Sequence, residues 1–208
     1  LIITLGIEMD GSKKILGMIE SGTENENVCK DFIEGLKERG LNTEQEILWI
    51  IDGSKGLHKG IKSSLGKMAI IQRCQWHKRE NIVSYLPRGE QSRFRKKLQK
   101  AYEKPTYNEA KTAILKIEKE LAEINASAVT SLNEGLEETL TLHKLEIFPQ
   151  LGVHFKTTNG IENINRLLGI YTDRVCYWKN SKQRQRWIGS ALLEIEKNMR
   201  KIKGREFL

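Results

Sequence analysis

The sequence predicts an α/β protein in which a β-β-α-β-α-β segment is followed by helices alone. Three observations carry this. An Asp-Gly pair separates two apolar runs near the start. A five-residue apolar run, "ILWII", lacks the alternation of a half-solvated strand. From His77 to about Glu146 helical periodicity recurs without an intervening strand.

In order, "LIITLGIEMDGSKKILGMIES" reads as a β-hairpin. Its runs 1–7 and 15–19 flank Asp10-Gly11, a strong short-range turn signal. "TENENVCKDFIEGLKERG" follows with Val28, Phe32, Ile33 and Leu36 at helical spacing. Thr23 or Asn25 can cap its start, and Gly40 ends it. "EILWIIDG" predicts a strand covered on both faces, as beside a parallel neighbour, and Asp52-Gly53 breaks it. "SKGLHKGIKSSLG" predicts a short helix and "KMAIIQRC" another short strand.

The helical stretch is punctuated by Pro87, Pro105 and Pro149. In "YNEAKTAILKIEKELAEI" one face carries Ala110, Ile114, Ile117, Leu121 and Ile124. "SLNEGLEETLTLHKL" reads as a further helix. After "FKTTNG" a helix is expected from about Ile161, and a last one presents Trp187, Ala191, Leu192, Ile195 and Met199 as a core stripe. The parts are thus 1–76 (mixed strands and helices), 77–150 (helical) and 151–208 (closing helices).

The 208 residues suffice for one domain with a core, or one carrying a large insertion. No apolar run approaches the ~18 residues of a membrane span, and no signal peptide is visible. Three dispersed cysteines give no disulfide framework and suit a reducing cytoplasm. Leu1 opens directly into a strand, which reads as a segment whose own N-terminus lies upstream.

The net charge of +8 is uneven. Residues 1–60 carry −4, 61–101 carry +9, 102–155 carry −4 and 156–208 carry +7. Two basic stretches around an acidic one favour a polyanionic partner over mere solvation of helix faces.

Two acids stand out by position. Asp52 ends a buried strand, where functional groups emerge in α/β sheets, although "DG" is also a common turn pair. Glu162 sits in "FKTTNGIENINR"; with Asn159 as the cap it would complete a capping box. Together, a strand-end and a helix-start carboxylate can converge on Mg²⁺. Two such ions about 3.5–4 Å apart support phosphoryl transfer.

"IIDGSKGLHKGI", "QRCQWHKREN", "TTNGIENINR" and "RWIGSALLEIEKNM", in this order, resemble the Mutator-type transposases of bacterial insertion sequences. The resemblance covers nearly the whole chain and is most specific over 72–81 and 157–166. It implies an RNase H-like core, a DDE active site and a large all-helical insertion before the last acid. Asp52 matches the second catalytic Asp and Glu162 the catalytic Glu, both holding two Mg²⁺ or Mn²⁺ ions. The first Asp belongs on a first strand upstream of the hairpin. Asp10, in a turn, is a poor substitute, so the segment as given is expected to be inactive. The implied partners are transposon-end and target DNA, within a homodimer or higher synaptic oligomer, at the nucleoid in the bacterial cytoplasm.

Cys74 and His77 match the family's Cys-x-x-His signature. Tetrahedral zinc needs four ligands, and the other cysteines and histidines show no second paired spacing. Cys74 is expected to pack as a small hydrophobe and His77 to lie near Asp52. Lys78 and Arg79 suit phosphates, as do Arg93, Arg95, Lys96 and Lys97 in "RFRKKLQK", with Arg88 nearby. Of an arginine cluster usual in relatives after the glutamate, only Arg166 and Arg174 remain. Trp178 either stacks on a base or covers the core. The rival readings are a non-catalytic DNA-binding descendant and another RNase H-like nuclease.

Overall fold

The computed structural model describes residues 1–22 and 25–208. The observed order opens β-β-α-β-α-β and continues with helices, as the patterning predicts. Strands β1 (Ile2–Ile7) and β2 (Lys13–Ile19) form an antiparallel hairpin with a register shift between Thr4 and Leu5. Its turn uses Gly11 at φ +81°, a left-handed conformation that glycine adopts without steric cost. Asp10 Oδ1 accepts the Ser12 N–H at 2.8 Å, and its other oxygen pairs with Lys201. Hydrogen bonds from Lys201 and Ser12 hold the Asp10 carboxyl well below the usual range. This acid is therefore a strut between the turn and the C-terminal segment.

Helix α1 (Glu26–Glu38) is capped by Asn25, whose Oδ1 accepts the Val28 N–H at 3.0 Å. The other candidate cap, Thr23, lies outside the described residues. Strand β3 (Ile47–Ile51) pairs in parallel with β4 (Ala69–Arg73), joined by α2 (Lys55–Leu65). Both faces of β3 are packed, as its unalternating run predicts. Trp49 and Ile51 join the cluster of Ile33, Ile61 and Leu65; Leu48 and Ile50 join a second one around Phe148 and Leu151.

The hairpin and the parallel pair are separate two-stranded sheets. On β4, the Ala69 and Ile71 carbonyls accept Lys62 Nζ at 2.7 Å and Thr141 Oγ1 at 2.6 Å. On β2, the Ile15 N–H donates to Glu196 at 2.5 Å. Beyond their own pairings, β1 and residues 47–50 of β3 make no backbone hydrogen bond among the described residues.

Helices α3 (Gln75–Ser84), α4 (Arg88–Tyr102), α5 (Tyr107–Ala122) and α6 (Ala126–Asn133) enclose their own core, including Ile82, Phe94, Leu98, Ile114, Leu121 and Leu132. The stretch expected to be one helix from Ser131 breaks at Gly135, φ +65°, into α6 and the single turns α7 (Leu136–Thr139) and α8 (Thr141–Lys144). The left-handed φ at Gly135 favours glycine, and a side chain there would also have to displace the Arg73 guanidinium. Pro149 does not end a helix. It sits in the first turn of α9 (Phe148–Phe155), where its missing N–H costs nothing.

Helices α10 (Asn159–Thr172) and α11 (Ser181–Lys197) pack on the hairpin through Ile164, Leu168, Leu192 and Ile195, against Ile3, Leu5 and Ile15. Trp187 is only half buried; its indole N–H donates to the Tyr171 carbonyl at 3.0 Å and its ring meets Trp178 edge-on.

Helices α1 and α2 touch closely at Gly60, where a Cβ would stand 2.6 Å from Cys29 Cβ. Gly35 on α1 faces open space. Gly60→Ala is expected to cost roughly 1–3 kcal/mol by overpacking. Gly35→Ala is expected to gain about 0.5–1 kcal/mol. Urea unfolding followed by circular dichroism should move the two midpoints in opposite directions.

Candidate active site

The site forms where β3 and β4 end. Asp52 follows Ile51 directly, and its Oδ1 accepts the Ser54 N–H at 2.8 Å. That bond is the turn role the sequence allowed. Ser54 then caps α2, accepting the Leu57 N–H at 3.3 Å. Asp52 is half-buried, and Oδ2 takes no hydrogen bond among the described residues.

Across from it, Cys74 caps α3 by its backbone. Its N–H donates to the Ile51 carbonyl at 2.7 Å, locking the two strand ends together. The next amide, of Gln75, donates to the Lys156 carbonyl at 2.9 Å. This second bond carries the segment 156–158, and with it the start of α10, to the end of β4.

The Cys-x-x-His pair meets Glu162 there. His77 Nδ1 lies 3.1 Å from Cys74 Sγ and 3.3 Å from Thr158 Oγ1; its Nε2 lies 3.9 Å from Glu162 Oε1. Thr158 Oγ1 donates to Glu162 Oε1 at 2.9 Å and stands 3.5 Å from Cys74 Sγ. Cys74 is 1% exposed, packing as the small buried group expected.

The cap of α10 is Thr158, one residue before the Asn159 expected. Glu162 therefore falls one position too late for a capping box. Its own N–H bonds the Thr158 carbonyl at 3.1 Å, and its carboxylate takes the Thr158 hydroxyl. The structural explanation offered by the capping box is removed. Thr158 was not singled out from sequence; its i, i+4 spacing to Glu162 was the available signal.

A hard cation is tested by the donors present. Asp52 and Glu162 offer carboxylate oxygens, the ligands Mg²⁺ prefers, and each keeps one oxygen free of hydrogen bonds among the described residues. Among those residues no group of three or more His, Cys, Asp or Glu side chains is arranged to hold a metal ion. By donor chemistry each acid suits a hard divalent ion.

Residues 1–201 match the family model described as Transposase, Mutator family. The chain belongs to this family. It is 30% identical over 196 residues to the transposase for insertion sequence element IS256 in transposon Tn4001 from Staphylococcus aureus, covering 93% of this chain and 48% of that protein. It is 28% identical over 200 residues to the transposase for insertion sequence element ISRM5 from Rhizobium meliloti, covering 95% and 48%. Against the transposase for insertion sequence element IST2 from Acidithiobacillus ferrooxidans the figures are 26% over 190 residues, 91% and 62%. The chain spans about half the length of the first two. Among the described residues, no helix is long and apolar enough to cross a membrane.

In this Mutator-family chain the basic residues named from sequence divide sharply. Lys78 is buried, 5% exposed, and donates to the Glu134 carbonyl at the end of α6. Arg73 donates to the same carbonyl at 3.0 Å. Arg79 bonds Glu80 and Gln99; Arg95 bonds Glu80 at 2.8 Å. Arg93 bonds Glu90 and Glu120, and Lys97 bonds Glu120 as well. Lys96 is exposed with no ion pair among the described residues, and Arg166 is exposed, bonding Asn163 at 3.0 Å.

Burial, with Arg73 adding to it, lowers Lys78 from 10.5 to about 8. The unfolded chain then holds more protons above pH 8, so this group's contribution favours folding increasingly as pH rises. Relative to Lys78→Met, the native chain is expected to gain roughly 2 kcal/mol between pH 7 and pH 10. Denaturant titrations of both at each pH check this.

Proposed function

We propose that the chain is the catalytic region of an insertion-sequence transposase that cuts DNA at element ends and joins the freed 3′-hydroxyl to target DNA. The observation that supports this best is the unbroken set of contacts from the end of β3 to the start of α10. Asp52 adjoins Ile51, Ile51 bonds Cys74, and Cys74 touches His77 and Thr158, which hold Glu162.

In this reading Asp52 and Glu162 are the two acids of a DDE site and would hold two Mg²⁺ or Mn²⁺ ions. Bound there, the ions would activate the attacking oxygen and stabilise the leaving one. Thr158 fixes the rotamer of Glu162 by its hydroxyl bond. His77 stands beside the same carboxylate, within reach of a phosphate drawn to the site.

The fold is then RNase H-like, with a further strand pairing between β1 and β3. Side chains bond the outer edges of β2 and β4, whereas β1 and residues 47–50 of β3 have no further backbone hydrogen bond among the described residues. The third acid belongs to that strand. The helical unit of residues 77–150, with its own core, is the insertion before Glu162.

The DNA track runs over α4 and the start of α10. Lys96 and Arg166 contact the backbone directly. Arg79, Arg93, Arg95 and Lys97 contribute by exchanging protein carboxylates for phosphates. Lys78 is outside the track because burial commits it to Glu134. The working assembly is a homodimer or higher synaptic oligomer acting in the bacterial cytoplasm.

The test uses the complete protein containing this chain, in a joining assay with a 3′-hydroxyl donor end. Asp52→Asn and Glu162→Gln are each expected to lower joined products by roughly 10²-fold or more. Their DNA affinity should not fall. Joining at the native rate in either variant would overturn the reading.

A further inference from the structure

A concavity of about 140 Å³ opens beside the site, between α3, α4 and the segment leading into α10. Trp76 forms one wall with 45% of its surface exposed. Its indole meets the His77 ring edge-on at 4.8 Å, so its position is tied to the group beside Glu162. Gln75, 4% exposed, also lines the hollow. Its Nε2 is committed to the Thr139 carbonyl at 2.9 Å, while its Oε1 accepts no hydrogen bond among the described residues. Asn159 and Thr157 also line it, with side chains that make no hydrogen bond among the described residues; Lys156 has no carboxylate partner among them and its ammonium stands 6.0 Å from the Phe148 ring centre, while Arg79, Gln99 and Glu103 on the rim bond one another.

Among the described residues no aliphatic side chain lines the hollow. A hydrophobic peptide or lipid would leave these amides unpaired, which costs binding energy. A flat ring with edge donors and acceptors, linked to a phosphate, matches an aromatic wall, the open Gln75 oxygen and Asn159 amide, and a lysine without a carboxylate partner among the described residues. Paired bases inside a duplex cannot present that face, so such a hollow suits a base out of the stack.

We propose that this hollow binds an unpaired nucleobase of the DNA strand being processed, stacked on Trp76, with its edge toward Gln75 and Asn159 and its phosphate near Lys156. The proposal rests on the transposase reading above. It adds a specific base-holding pocket on the Glu162 side of that site, which would keep the strand separated there.

The experiment uses the complete protein and two oligonucleotide duplexes, one fully paired and one with a single unpaired 2-aminopurine beside a nick. The native protein is expected to prefer the second and to quench its fluorescence. Trp76→Ala should weaken binding to the unpaired probe about 5- to 150-fold and abolish quenching, with paired-duplex affinity unchanged. Trp76→Phe should retain most of the preference. Asn159→Ala, at an exposed position, should reduce it and serves if Trp76→Ala does not fold. Equal binding of both duplexes, or a Trp76→Ala variant that quenches normally, would discard the pocket while leaving the transposase reading intact. Failure of the native protein to bind either duplex would discard both.

Discussion

Two consecutive backbone amides at the start of α3 hold the site together. The first N–H groups of a helix have no partner within it and must be satisfied from outside. Here the Cys74 N–H goes to Ile51 at the end of β3, and the Gln75 N–H goes to Lys156 just before α10. One helix terminus thereby joins the strand that delivers Asp52 to the helix that delivers Glu162. Those acids are 110 positions apart in the chain, and local structure alone would not bring them together.

The same motif anchors the helical unit. Gln72 is fully buried, giving one amide proton to the Thr139 carbonyl and accepting the Leu142 N–H at 3.0 Å. Arg73 and Lys78 close the carbonyl end of α6, where a helix leaves acceptors open and its dipole is negative. The break at Gly135 sits beside that joint: the Glu134 carbonyl takes both donors, and Arg73 fills the space a side chain at 135 would need. Much of "QRCQWHKREN" is therefore a joint, with only part of it facing the candidate site.

The charge blocks have a similar double meaning. The basic stretch 61–101 and the acidic stretch 102–155 meet as antiparallel neighbours, α4 against α5. Glu120 on α5 serves both Arg93 and Lys97 on α4. Exposed pairs of this kind contribute only about 0–1 kcal/mol each. A net-charge profile along the sequence records the cations but not their neighbours, because pairing depends on how the helices pack.

Much of the architecture was legible because its signals are local. The Asp-Gly turn, the unalternating "ILWII", the Asn25 cap and the helical spacing of Ile114, Ile117 and Leu121 each depend on residues a few positions apart. Asp52 and Glu162 were marked by where they fall in such elements, and the Cys74/His77 pair by its spacing. The break after Asn133, the shift of the α10 cap to Thr158 and the burial of Lys78 were not legible, since each is set by a partner remote in sequence. The sequence by itself determined the order of elements, the faces they bury and the family to which the chain belongs, through short-range periodicity and motif. Only the tertiary structure decided which polar groups are spent on the fold and which are left without a partner among the described residues, because burial and hydrogen bonding between distant segments make that division.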